Sequence, residues 1–159
     1  MRIGQGWDNH RIKAGRPLIL GGVTIPCEFG LDGHSDADIL LHALTDALLG
    51  SLALGDIGMH FPDTDPQWRG ASSDRFVEHA KALVAERGYA IVNVDCTVLL
   101  ERPKLKDHRD AIRENVARIL GLSPDDVNVK FKTSERVGAV GEGLSAEAQA
   151  VVLVRRREG

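Results

Sequence analysis

A chain of 159 residues closes one hydrophobic core and is too short for two, so residues 1–159 are expected to form a single domain. With 43% hydrophobic and 27% charged residues, it has neither a disordered composition nor the long apolar runs of a membrane span. A formal charge of -3 excludes a protein that coats polyanions, and aromatics at 4% are too few for base-stacking platforms, so neither nucleic acid nor membrane is an expected partner. Cys27 and Cys96 lie in unrelated apolar contexts without CxxC spacing, and the opening MRIGQGWDNH lacks an apolar leader; both features point to the cytoplasm.

The N-terminus opens as a strand over Met1–Gly6, and PLILGGVTI (Pro17–Ile25) reads as two short strands turning at Gly21-Gly22. Ser35 and Asp38 resemble a capping box ahead of a helix over Ile39–Leu52. Gly55, Gly58, Pro62 and Pro66 punctuate a stretch running to about Ala71, long enough to be a candidate lid. Ser72 or Ser73 caps a second helix through Arg87, closed by Gly88, and Ala90–Leu100 follows as a strand that Pro103 ends. A third helix spans Lys106–Leu120 up to Gly121, SPDD turns into the strand Val127–Lys132, and Ala146–Arg156 is the last strand. The order βββααβαββ predicts an α+β fold, an α/β sandwich with one mostly mixed sheet packed on helices.

Asp8 and His10 are two apart on a strand, placed at its end by this reading, and so project from one face, the geometry of a chelating pair for Zn2+. The same residues also read as a turn cap and a surface histidine. Asp38, His42 and Asp46 recur every four residues along the first helix, with His34 one turn earlier. A polar face amid Leu and Ile is costly to bury unless something satisfies it, and a metal at His42 would do so; a cap, a satisfied histidine and a solvated carboxylate would too. Lys104 and Lys106 precede a helix start, where anions are favoured, and Thr133, Ser134 and Glu135 offer hydroxyls for phosphate and a carboxylate for Mg2+ or Mn2+. No GxxxxGK[ST], HExxH or GxSxG occurs, leaving metal-assisted phosphate chemistry as the class these parts suit.

In order along the chain stand GWDNH (6–10), HSDAD (34–38), LLHALTDALLG (40–50), LGDIG (54–58), FPDTDP (61–66), ERPKL (101–105) and DVNVKFKTSE (126–135). In these segments the chain resembles the 2-C-methyl-D-erythritol 2,4-cyclodiphosphate synthase family of the non-mevalonate isoprenoid pathway, nearly end to end. The resemblance implies a homotrimer with sheets facing a central channel and active sites between subunits. It implies a lyase that converts 4-diphosphocytidyl-2-C-methyl-D-erythritol 2-phosphate to the cyclic diphosphate and CMP.

The resemblance also implies one Zn2+ per subunit on Asp8, His10 and His42, and Mg2+ or Mn2+ on Glu135. By the same carry-over, His34 and Thr133 steady the transition state and Ser35 holds the 2-phosphate. Asp56, Ile57 and Gly58, with Phe61, Pro62, Asp63, Thr64 and Asp65, grip the erythritol. A neighbouring subunit's Leu100, Lys104, Leu105 and Lys106, with Phe131, Lys132, Thr133 and Ser134, enclose the cytidine. Where many members carry a longer glycine-rich turn whose aromatic and arginine bind isoprenoid diphosphates, this chain has Gly138–Gly143; Trp7 stands where Phe is common, and Phe131 and Lys132 replace smaller residues. A metal-dependent phosphohydrolase and a non-catalytic isoprenoid-diphosphate-binding trimer are the competing readings.

Overall fold

The computed structural model describes residues 1–157. Its first strand, β1 (Arg2–Ala14), runs well past the expected end at Gly6. It does so because β7 (Ser145–Arg156) pairs with it antiparallel from Arg2 to Arg11, and a short strand the sequence did not signal, β4 (Phe29–Leu31), pairs with Ile12–Ala14. Asp8 and His10 therefore stand inside a paired strand and not at its end. Adding β5 (Tyr89–Leu99) and β6 (Val127–Lys132) completes a five-stranded sheet of order β4-β1-β7-β5-β6, in which β5 and β6 are parallel and the other neighbours antiparallel. The parallel pair needs a crossover, and α4 (Arg109–Leu120) supplies it. The fold is α+β with a mixed sheet packed on helices, as the sequence predicts.

Two further strands, β2 (Leu18–Leu20) and β3 (Val23–Ile25), form the expected hairpin as a separate ribbon. Gly21 and Gly22 both have positive φ, 59° and 76°, the pair of left-handed residues that a two-residue turn of matching twist requires. What fixes this ribbon to the body is Asp38. Its carboxylate accepts from Gly21 N (3.0 Å), Gly22 N (2.6 Å) and Leu41 N (3.1 Å), so one buried side chain caps a helix and grips a hairpin. Burial pushes that carboxyl up to about 6 even against these three donors. The expected capping box is thereby corrected: α1 (Ile39–Ser51) starts after Asp38, while the Ser35 hydroxyl accepts from Ala37 N in the turn before it.

Nearly every side of α1 is buried, which explains why its sequence is apolar all round. It lies so close to β1 that a Cβ on Gly4 would stand 1.9 Å from Ala47 O, and one on Gly6 1.9 Å from Ala43 O. Only glycine fits at these two positions. Helices α3 (Asp74–Glu86) and α4 each bury one apolar face, and Lys106–His108, expected as the first turn of α4, is a 3-10 turn. Short α2 (Ile57–His60) and α5 (Gly138–Gly141) are helical turns where the sequence indicated loops. The helices cover one face of the sheet, where the even-numbered residues of β7, Ala146 to Val154, are buried. On the other face Ile3, Trp7 and Val151 remain exposed. Among the described residues no helix is long and apolar enough to cross a membrane.

Candidate active site

The two glycines of β1 determine where the site lies. Where they give way to residues with side chains, Asp8 and His10, the strand has reached the first turn of α1, and there His42 meets them. Asp8 Oδ2 is 3.0 Å from His10 Nε2 and 2.9 Å from His42 Nδ1, and one donor atom from each residue lies within 4.8 Å of the others. Burial raises the Asp8 carboxyl, but hydrogen bonds and charge from both histidines outweigh it and hold the group well below the usual carboxylate range. Burial likewise pulls His10 down, and Asp8 overrides it, leaving His10 above its ordinary value.

The triad fits a divalent metal ion. A tetrahedron with bonds of about 2.0–2.1 Å has edges of about 3.3 Å, so each histidine donor needs to open from Asp8 Oδ2 by only a few tenths of an ångström. Each histidine also has its far nitrogen engaged: His10 Nδ1 donates to the Asp32 carbonyl, and His42 Nε2 lies 2.9 Å from Ser73 Oγ and 3.1 Å from Ser35 Oγ. Such partners orient imidazoles toward a metal.

The three polar residues spaced along α1 do not converge on one ion. Asp38 holds the hairpin, His42 joins the triad, and Asp46 accepts from Ile57 N (2.7 Å) at the start of α2. Asp46 thus anchors the candidate lid, its carboxyl raised by burial and by Asp56 and Asp8.

The triad borders a cleft of about 620 Å³ whose other walls include His34, Ser35, Ile57, Gly58, Phe61, Pro62, Asp63 and Thr64. Of the residues expected beside them, Asp56 caps α2 through Met59 N (3.0 Å), and Asp65 caps a 3-10 turn at Pro66–Trp68 through Gln67 N (3.0 Å). Neither is a wall residue; Asp65 contributes its carbonyl, 3.4 Å from His34 Nε2. Trp68 and Phe76 are walls that the sequence did not single out. Their rings pack with Phe61, at centroid distances of 4.9 and 4.5 Å, and form an apolar side to the cleft.

The remaining expected residues gather elsewhere. Leu100, Lys104, Leu105, Lys106, Phe131, Lys132 and Thr133 line a smaller hollow of about 190 Å³ beside β5 and β6. Arg109, which the sequence did not flag, joins them with its guanidinium 5.6 Å from the Phe131 ring centre. Ser134 N donates to Glu101 Oε2 (3.0 Å), tying the end of β6 to the end of β5. Glu135 stands in the exposed turn beyond, 3.3 Å from the Thr133 hydroxyl and outside the triad. Glu135 and Arg136 both occupy the left-handed region, φ 50° and 63°, at a cost of roughly 1–2 kcal/mol each.

Ser73 and Asp36 are the other residues that sequence reasoning missed at the triad. Ser73 was legible only as a helix cap, and nothing in its spacing connects it to His42.

A family model described as the YgbB family matches residues 1–155. A protein of Solibacter usitatus named 2-C-methyl-D-erythritol 2,4-cyclodiphosphate synthase is 64% identical over 98% of both chains. A solved structure of an enzyme of that name in its CDP-bound form superimposes with a TM-score of 0.90 at 46% identity, covering 97% of this chain and 100% of that one. The bifunctional IspDF of Campylobacter jejuni matches with a TM-score of 0.95 at 39% identity; 99% of this chain is covered, and it spans 42% of that longer one. With family match and fold agreeing over nearly its whole length, the chain belongs to the YgbB family.

Proposed function

We propose that this protein closes 2-C-methyl-D-erythritol 2,4-cyclodiphosphate from 4-diphosphocytidyl-2-C-methyl-D-erythritol 2-phosphate, releasing CMP, in isoprenoid precursor biosynthesis. The observation that carries this reading is the triad of Asp8, His10 and His42 bordering a cleft of about 620 Å³, on a chain 64% identical to a synthase of that name. The protein acts as one synthase domain, in the cytoplasm, on a small phosphorylated substrate.

The reaction is an in-line displacement: an oxygen of the 2-phosphate forms a bond to the β-phosphorus as the bond to the CMP oxygen breaks. The nucleophile is already an anion at neutral pH, so no general base is needed. Asp8, His10 and His42 would hold Zn2+, and Glu135 would hold Mg2+ or Mn2+. Bound there, the ions would supply Lewis acidity and offset the charge of the diphosphate. The chain's own residues position the reactants. Ser35 holds the 2-phosphate, while His34 and Thr133 steady the charge that develops in the transition state. Ile57, Gly58 and Phe61–Thr64 enclose the erythritol, with Asp56 and Asp65 shaping that wall through the turns they cap.

The cytidine and its phosphate are held by Leu100, Lys104, Leu105 and Lys106 and by Phe131–Ser134 of a neighbouring copy in a homotrimer. Two features support the shared site. β1 and β6 are separated by β7 and β5, three spacings of about 4.8 Å, so the two hollows lie apart on one chain. Among the described residues no helix covers the sheet face bearing the exposed Ile3, Trp7 and Val151, a surface on which copies can pack.

Phosphorus NMR of the purified protein with the cytidyl substrate, with metal and after stripping, tests the reading. CMP and a cyclic diphosphate, lost on stripping and restored by metal, are expected. CMP with a linear product would make the protein a hydrolase, and no reaction in a folded, zinc-loaded sample would end the catalytic reading.

A further inference from the structure

Behind His42 lies a chain of hydrogen bonds whose direction is set at its far end. Asp36 Oδ2 accepts from Ser73 N (3.0 Å), and Asp36 Oδ1 accepts from Asp38 N (3.1 Å) and from the Ser73 hydroxyl. An ionised carboxylate has no proton to give, so the Ser73 hydroxyl proton is committed to Asp36. Ser73 Oγ, fully buried and 2.9 Å from His42 Nε2, can then only accept from that nitrogen. An imidazole whose Nε2 stays a donor coordinates through Nδ1 once an ion takes the place of the Nδ1–Asp8 hydrogen bond, and His42 Nδ1 is the atom facing Asp8.

We propose that Asp36 and Ser73 are positioning residues that orient His42 as a metal ligand, with Asp36 acting through Ser73. The proposal rests on the reading of Asp8, His10 and His42 as the metal centre. Three observations show that the fold holds Asp36 and Ser73 in register. Asp36 N donates to Ala71 O (3.0 Å), joining the turn before α1 to the turn before α3. Ala37, the next residue, sits in the left-handed region at φ 58°, a strain the surrounding bonds must offset. Ser73 is 0% exposed, and its side chain makes no capping bond to α3, so its hydroxyl is left for Asp36 and His42.

The same ordering explains Ser35. Its oxygen accepts from Ala37 N (3.2 Å) and lies 3.1 Å from His42 Nε2, so the Nε2 proton is shared between two serine oxygens. The Ser35 hydroxyl proton then has the cleft as its direction, where it meets an anionic oxygen as a donor. Asp36 thereby prepares a metal ligand and, one step further, a phosphate donor.

The test is zinc affinity by chelator competition, with the absorption spectrum of the cobalt-substituted protein as a second readout. Ser73→Ala removes one of two acceptors and is expected to weaken zinc about 10-fold or more, and Ser73→Thr, which keeps the hydroxyl, to restore it. In Asp36→Asn one amide N–H must face Asp38 N or Ser73 N, both of them donors, so zinc weakens at least as much and the cobalt spectrum shifts. The metal-free unfolding midpoint of each variant separates this from a loss of fold. Variants that bind zinc with wild-type affinity and an unchanged cobalt spectrum overturn the proposal. A wild-type protein that binds no zinc overturns the metal reading instead, a result seen without any variant.

Discussion

The two ends of the sheet are built differently. At β1 the site is made of half-buried and buried groups that answer one another: a carboxylate held by two histidines, each histidine braced from behind, and a strand pressed onto α1 by two glycines. At β5 and β6 the hollow is smaller, about 190 Å³, its lysines make no side-chain hydrogen bond among the described residues, and the turn beyond it carries two residues in the left-handed region. The first end is complete within one chain and is suited to holding a small ion rigidly. The second is a surface awaiting a ligand and, on the proposed reading, a cleft from another copy. On the proposed reading, the difference teaches that the chemistry is fixed by packing in one protomer, while substrate recognition is divided between two.

Four changes would break or sharpen this contrast. The largest effect is expected for His42→Ala, which removes a triad donor and should lower turnover on the order of 10³-fold or more while the protein stays folded; a structural metal would show instead as loss of the fold. Next is Gly6→Ala. Its Cβ would stand 1.9 Å from a backbone oxygen of α1, so a cost of about 3 kcal/mol in urea unfolding is expected, together with weaker metal binding, because the strand that carries Asp8 must shift.

Lys104→Ala touches only the open end. It should raise KM for the cytidyl substrate about 10-fold and leave metal content unchanged; a loss of metal would mean the two ends are not independent. The last change concerns pH. The Asp38 carboxyl is about 6 in the fold against 3.8 in the unfolded chain, so its contribution to stability is whole below pH 3.8 and is lost as pH rises through about 6. Asp38→Asn should flatten the stability profile in that window alone, and an unchanged profile would show that Asp38 is not the group responsible.

The sequence reveals the triad because a strand repeats every two residues and a helix every 3.6, so Asp8 with His10, and His42 one turn into α1, are positions that local rules select. It also reveals the Gly21-Gly22 hairpin, whose turn chemistry is local. It does not reveal what depends on distant packing. β4 is three residues whose strand character exists only through β1, and β1 itself outruns its apparent end because β7 pairs with it. The polar spacing of Asp38, His42 and Asp46 marks a face that something must satisfy but not what satisfies it, and each residue finds a different partner because the hairpin and the candidate lid approach α1 from different directions. Ser73 and Asp36 are invisible for the same reason: 37 residues separate them, and only the packing of α3 on α1 brings them together.

The most direct measurement of the central claim, that metal chemistry and nucleotide recognition come from different copies, is subunit mixing. His42→Ala and the charge-reversed Lys104→Glu proteins, each expected to be inactive alone at a substrate level below KM, are unfolded together, refolded at a one-to-one ratio and assayed. If each site combines one copy's triad with its neighbour's lysine, half the triads and half the neighbours are intact, so about a quarter of wild-type activity returns. If each site lies within a single chain, mixing restores nothing, and that result contradicts the account.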